Sequence, residues 1–82
     1  MPSARLNLAY IEYDQKNFLS AATRFKELLK MNGDNPDAIY GLALSYYSQG
    51  DKQLARREFQ RYLEIVPSGA WATKARSFLA KM

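Results

Sequence analysis

Apolar residues recur every three to four positions in four successive segments and again in a short tail, and all five read as helices. Leu6, Leu8, Ala9, Tyr10 and Tyr13 belong to a first helix over roughly residues 3–15. Phe18, Ala21, Ala22, Phe25, Leu28 and Leu29 carry the 3.6-residue period of a second, with Asn17 placed to cap its start and Asn32-Gly33-Asp34-Asn35 to end it. Asn35-Pro36-Asp37 then combines three start signals: a capping side chain, a proline whose missing N–H is not needed in a first turn, and a carboxylate facing the positive end of the helix dipole. The helix it opens runs to about Gln49. Gly50-Asp51 turns the chain and caps a fourth helix from Lys52 to Val66, which Pro67 closes. Ser68-Gly69 leads into a last segment striped by Trp71, Ala75, Phe78, Leu79 and Met82. Loops of two to four residues force consecutive helices to pack antiparallel.

The pattern repeats. Each residue from 2 to 35 can be paired with the one 34 later, and nine pairs are identical: Pro2/Pro36, Ala4/Ala38, Leu8/Leu42, Ala9/Ala43, Tyr13/Tyr47, Gln15/Gln49, Ala21/Ala55, Phe25/Phe59 and Leu29/Leu63. Identities confined largely to small and aromatic residues at helical spacing mark one helix pair written twice, the signature of a stacked solenoid.

The second unit resembles a tetratricopeptide repeat (TPR). Ile39, Leu42, Ala43 and Tyr46 stand where that family places large apolar, leucine, small and aromatic residues on its first helix. Ala55, Phe59 and Pro67 supply the alanine, aromatic and exit proline of its second. Ala43 and Ala55 let the helices approach closely while Leu42, Tyr46 and Phe59 fill the space around them. In the first unit Leu8, Ala9, Ala21 and Phe25 fit, but Arg5 and Glu12 replace the large apolar and aromatic residues, and Lys16 and Gly33 replace the usual glycine and proline. Polar replacements on one helix point to a face without an upstream neighbour, as in a terminal repeat. The spacing of Pro67, Ser68, Ala72, Ala75 and Leu79 is also similar to that of repeats in bacterial cell-envelope proteins. The resemblance implies an all-α fold: a right-handed α-solenoid of two helix hairpins and a C-terminal capping helix. One domain over 1–82 would then divide into repeat 1 (2–35), repeat 2 (36–69) and the capping helix (70–82). Trp71, two residues too early for a third first-helix pattern, is expected to cover the open end of the second repeat beside Tyr62 or Ile65.

The family's ligands lie on the concave face formed by the first helix of each pair. Here that implies partner contacts from Leu6, Tyr10, Tyr13 and Asp14, and from Tyr40, Leu44, Tyr47 and Ser48. Each trio of large residues follows i, i+4, i+7 and so shares one stripe. Tyrosine combines a rigid apolar body with one polar handle, suiting a protein or peptide partner. The helix over 36–49 is apolar nearly all round, so the same residues can equally be core, or the interface of a homo-oligomer. Some relatives grip a C-terminal carboxylate with lysine, arginine and asparagine here. Asn7 alone would fit, with Leu6, Tyr10, Gly41 and Ser48 in the neighbouring places, so no such clamp is expected.

Composition narrows the function classes. The 82 residues contain no cysteine and no histidine, which removes thiolate nucleophiles, disulfides and the usual zinc ligands. No Gly-rich phosphate loop or serine with a partner base is present, and Glu12 and Asp14, two apart, face different sides of their helix. The expectation is a binding module, no enzyme, with no cofactor. A cysteine-free chain suits any redox compartment, so localisation stays open, cytoplasmic or bacterial periplasmic, and no apolar run reaches membrane-spanning length. Net charge is +4, and the excess lies in residues 51–82. There Lys52, Arg56, Arg57 and Arg61 make a basic strip that could meet an anionic polymer or membrane. No aromatic residue interleaves it as single-strand binders require, which argues against nucleic acid.

Overall fold

The computed structural model describes the backbone of residues 2–82 and side chains from residue 5 onward; Met1, the first residue of the expected domain, lies outside the described residues. Five helices follow one another: α1 (Pro2–Asp14), α2 (Phe18–Met31), α3 (Pro36–Ser48), α4 (Lys52–Ile65) and α5 (Ala70–Lys81). No strand occurs among the described residues. Each helix ends within two residues of its expected boundary. The 34-residue period governs the placement: α1, α3 and α5 begin at residues 2, 36 and 70, and α2 and α4 at 18 and 52. The last helix therefore occupies the place of a third first-helix, although its sequence pattern departs from one.

Local chemistry sets these ends. The Asn35 side chain accepts from the backbone N–H of Asp37 (3.1 Å) and of Ala38 (3.3 Å), while Pro36 opens α3. Asp51 caps α4 by accepting from the Leu54 N–H at 3.5 Å. Gly50 takes φ +85°, a conformation glycine adopts without penalty. The expected cap at Asn17 does not form. Its side chain makes no capping bond, and the α1–α2 turn is closed instead by backbone bonds, Lys16 N–H to Tyr13 and Asn17 N–H to Glu12, with Lys16 at φ +66°.

α3 is the central helix. It packs on α1, α2 and α4, while α5 packs on α4. Nearly every α3 side chain from Ala38 to Tyr46 is buried, which explains why its sequence is apolar all round. Ala9, Ala21, Ala43 and Ala55 are all fully buried at the helix contacts, and Phe25 and Phe59 fill equivalent places one period apart. α5 enters the core through Ala72 and Ala75 and by stacking Phe78 on Phe59, with ring centroids 5.0 Å apart and planes 8° from parallel.

The two polar departures on α1 have partners on α2. Glu12 forms an ion pair with Arg24, and the Arg5 guanidinium lies 3.4 Å from the Met31 sulfur. The face they share is open to solvent. Leu8 is 41% exposed where its equivalent Leu42 is 4%, and Ile11 is 51% exposed where Ser45 is fully buried.

Candidate functional site

α1 and α3 lie side by side on the concave face, tied by two tyrosines. The Tyr10 hydroxyl donates to the Asp37 carbonyl at 2.6 Å, joining α1 to the first turn of α3. The Tyr13 and Ser48 hydroxyls stand 3.4 Å apart at the far end of α3. Between and above them lies an open groove of about 420 Å³, within the size range of ligand sites. Leu6, Asn7, Tyr10, Tyr13 and Asp14 of α1 form one wall, and Asp37, Tyr40 and Leu44 of α3 the other. Tyr62 of α4 and Trp71 of α5, both against Tyr40, complete the lining.

Six of the eight sequence-expected partner residues thus share one groove: Leu6, Tyr10, Tyr13, Asp14, Tyr40 and Leu44. Tyr47 and Ser48 lie outside its lining. Tyr47 is covered by Phe78 of α5, with centroids 5.0 Å apart and planes at 67°, and Ser48 faces Tyr13. Tyr40 belongs to the core as much as to the surface. It is 5% exposed and meets Phe59, Tyr62 and Trp71 edge to face at 5.9, 5.3 and 5.3 Å.

Trp71 shares the groove lining with Tyr62, one of its two expected neighbours. It lies in the concave groove against Tyr40, 56% exposed, with the Lys74 ammonium 4.5 Å from its ring. The reason is the period: Trp71 stands 34 residues after Asp37, which also lines the groove. That register, continued past Pro67, would have placed Trp71 correctly from sequence. Tyr62 was missed because it lies on a second helix, and only the path of α4 beneath Tyr40 brings it to the groove.

The hydroxyls of Tyr10, Tyr40 and Tyr62 resist ionisation. Burial, then the Asp37 carboxylate and neighbouring tyrosines, raise the pKa of Tyr10 well above its usual value. Burial first, then tyrosine neighbours, raise Tyr40, and burial followed by Asp37 raises Tyr62. In the unfolded chain these groups lose their protons near pH 10, whereas in the folded chain they hold them longer. The folded state then binds more protons, so stability falls as pH climbs above about 10. Alkaline titration of tyrosinate absorbance in the native protein is expected to leave Tyr10, Tyr40 and Tyr62 un-ionised past that point. Tyr10→Phe should flatten the matching loss of stability. A titration in which these three ionise near pH 10 without unfolding would contradict it.

The basic strip is only partly free. Arg61 donates to the Gly33 carbonyl and lies 3.6 Å from Glu58, which fastens α4 to the α2–α3 turn. Lys52, Arg56 and Arg57 are exposed. Among the described residues no helix is long and apolar enough to cross a membrane, and no cluster of three metal-ligating side chains occurs.

The sequence profile of the tetratricopeptide repeat family matches residues 2–70, spanning both helix hairpins and the start of α5. The chain belongs to this family. TPRs are generally non-catalytic protein–protein interaction modules built as helical solenoids, and this TPR chain has that architecture. Intraflagellar transport protein 70B of Bos taurus is 32% identical over 60 residues, which cover 73% of this chain and 9% of that protein. The chain thus spans a small fraction of the relative's length.

Proposed function

We propose that this TPR domain, with repeats at 2–35 and 36–69 and residues 70–82 closing the stack, acts as an adaptor that binds a protein segment in the α1–α3 groove. The observation that supports it is a half-open groove lined mainly by aromatic and aliphatic residues, with Asn7, Asp14 and Asp37 among them, on helices already fixed by the core. Tyr10 uses its hydroxyl internally, so its ring is held in place before a partner arrives. A preorganised scaffold loses little conformational entropy on binding, and large aromatic residues are the usual anchors of such interfaces. Binding would proceed by burial and hydrogen bonding, without chemistry.

Trp71, the sole tryptophan, provides a built-in reporter. Peptides selected by display on the wild-type domain are expected to change Trp71 emission on binding. They should bind Tyr13→Ala at least about tenfold more weakly, as truncation of an aromatic anchor commonly does. Selected peptides that bind both forms equally and leave the emission unchanged would place the binding face elsewhere.

A second reading, self-association by stacking, is favoured by the open face of α1, where Leu8 and Ile11 are exposed at positions that α3 keeps covered. It requires a mass that rises with concentration in sedimentation and falls back to 9.4 kDa in Leu8→Glu/Ile11→Glu. A constant monomer mass for the wild type removes this reading.

A further inference from the structure

The charges around the groove indicate which class of segment it takes, an inference that rests on the groove reading above. The protein carries a net charge of +4, yet the groove lining contains two carboxylates, Asp14 and Asp37, and among the described residues no lysine or arginine. Both carboxylates are exposed and therefore available.

Their settings differ. Asp37 lies in the first turn of α3, where the positive end of the helix dipole partly offsets its charge. Asp14 is the last residue of α1, at the negative end of that helix. The Tyr13–Ser48 contact brings the end of α1 to the end of α3, so two helix C-termini meet there. Neither has a basic residue in its last turn, in contrast to α2 with Lys30 and α5 with Lys81. The Asp14 carboxylate, the negative end of α1 and the Tyr13 ring thus meet in a mostly apolar groove, with the α3 C-terminus just outside its lining. Two cations lie nearby. Lys16, two residues past Asp14, is exposed and outside the lining, and Lys74 sits over Trp71 at the opposite side.

We propose that the groove takes a peptide segment presenting a lysine or arginine side chain to the Asp14 end and aliphatic side chains to the floor formed by Leu6, Tyr10 and Leu44. The cation would meet the carboxylate, the negative end of the α1 dipole and an aromatic face together, an arrangement each component favours. Selectivity of this kind runs against the protein's overall charge, which repels basic peptides at long range. A preference for them can therefore arise only locally.

The test uses three peptides of equal length without tryptophan, alternating leucine with arginine, glutamine or glutamate, each titrated against Trp71 emission. The arginine peptide is expected to bind roughly tenfold tighter than the glutamine peptide, the combined effect of an exposed ion pair and a cation–π contact, and the glutamate peptide weakest. Asp14→Asn should weaken the arginine peptide by about threefold, leave the glutamine peptide unchanged, and added salt should narrow the gap. Circular dichroism verifies that the variant is folded. Equal binding of the arginine and glutamine peptides, or an Asp14→Asn variant indistinguishable from wild type, overturns the charge inference while the groove reading stands. If no peptide moves Trp71 and display-selected peptides ignore Tyr13→Ala, both fall.

Discussion

Substituting Gly41 by alanine is expected to destabilise the domain by up to about 2 kcal/mol, the net of overpacking at about 1–3 and a helix-propensity gain of nearly 1. On an exposed helix face the same change would stabilise. Here an alanine Cβ would clash with the outer edge of the Phe25 ring, its Cζ and both Cε atoms, which rests directly on the α3 backbone. Phe25 has no room to move aside: it is fully buried and meets the Tyr10 ring edge to face at 4.9 Å. Swinging it would prise α2 from α3 and disturb the floor of the groove. The mechanism makes a further demand, since shortening the clashing ring must relieve part of the strain. Phe25→Leu alone loses packing, but the Gly41→Ala/Phe25→Leu pair should be less destabilised than the sum of its members by about 1 kcal/mol or more, as contacting residues in a double-mutant cycle behave. Chemical denaturation of the four proteins measures it. Strict additivity would mean that the backbone of α3 shifts to accept the methyl group and that the contact is not the constraint.

This glycine illustrates what the sequence could and could not disclose. Periodicity and caps are local properties, so helices, turns and the Asn35 and Asp51 caps were legible, as was the repeat family from Leu42, Ala43, Tyr46, Ala55 and Phe59. Which neighbour covers a given stripe depends on how helices far apart in the chain come together. Leu6 and Tyr40 hold equivalent positions, as do Tyr13 and Tyr47. The α1 members line the groove with more of their surface exposed than Tyr40, which also lines it but is walled in by Tyr62 and Trp71, and Tyr47 is covered by Phe78. The difference lies in α4 and α5, which follow the second unit and change the role of the same residue type. Asn17 failed as a cap for a related reason: the tight turn after α1 directs its backbone, not its side chain, into the hydrogen bonds.

Tyr40→Ala is expected to have the largest effect of any single change at the groove, and to act on the fold before it acts on binding. Removing a buried aromatic side chain costs about 3–5 kcal/mol, against a total of roughly 4–12 kcal/mol for a domain of this length. Tyr40 meets three rings at once, Phe59 in the core, Tyr62 on α4 and Trp71 on α5, so its loss leaves a cavity lined from three sides and frees Trp71 from its support. Urea unfolding should shift to far lower concentration, with Trp71 emission moving toward that of a solvated indole even before the main transition. Tyr40→Phe keeps the ring and its edge-to-face contacts, and should stay within about 1 kcal/mol of wild type, as near-isosteric changes do. The comparison separates two roles that the stripe of tyrosines leaves entangled. If Tyr40→Ala were to lose less than about 1 kcal/mol, like an ordinary surface change, Tyr40 would be groove surface and the wall behind Trp71 would need another support. A loss near the expected value makes Tyr40 the post on which the groove is built, and leaves Tyr13, Asp14 and Trp71 as the residues on which binding itself can be tested without unfolding the domain.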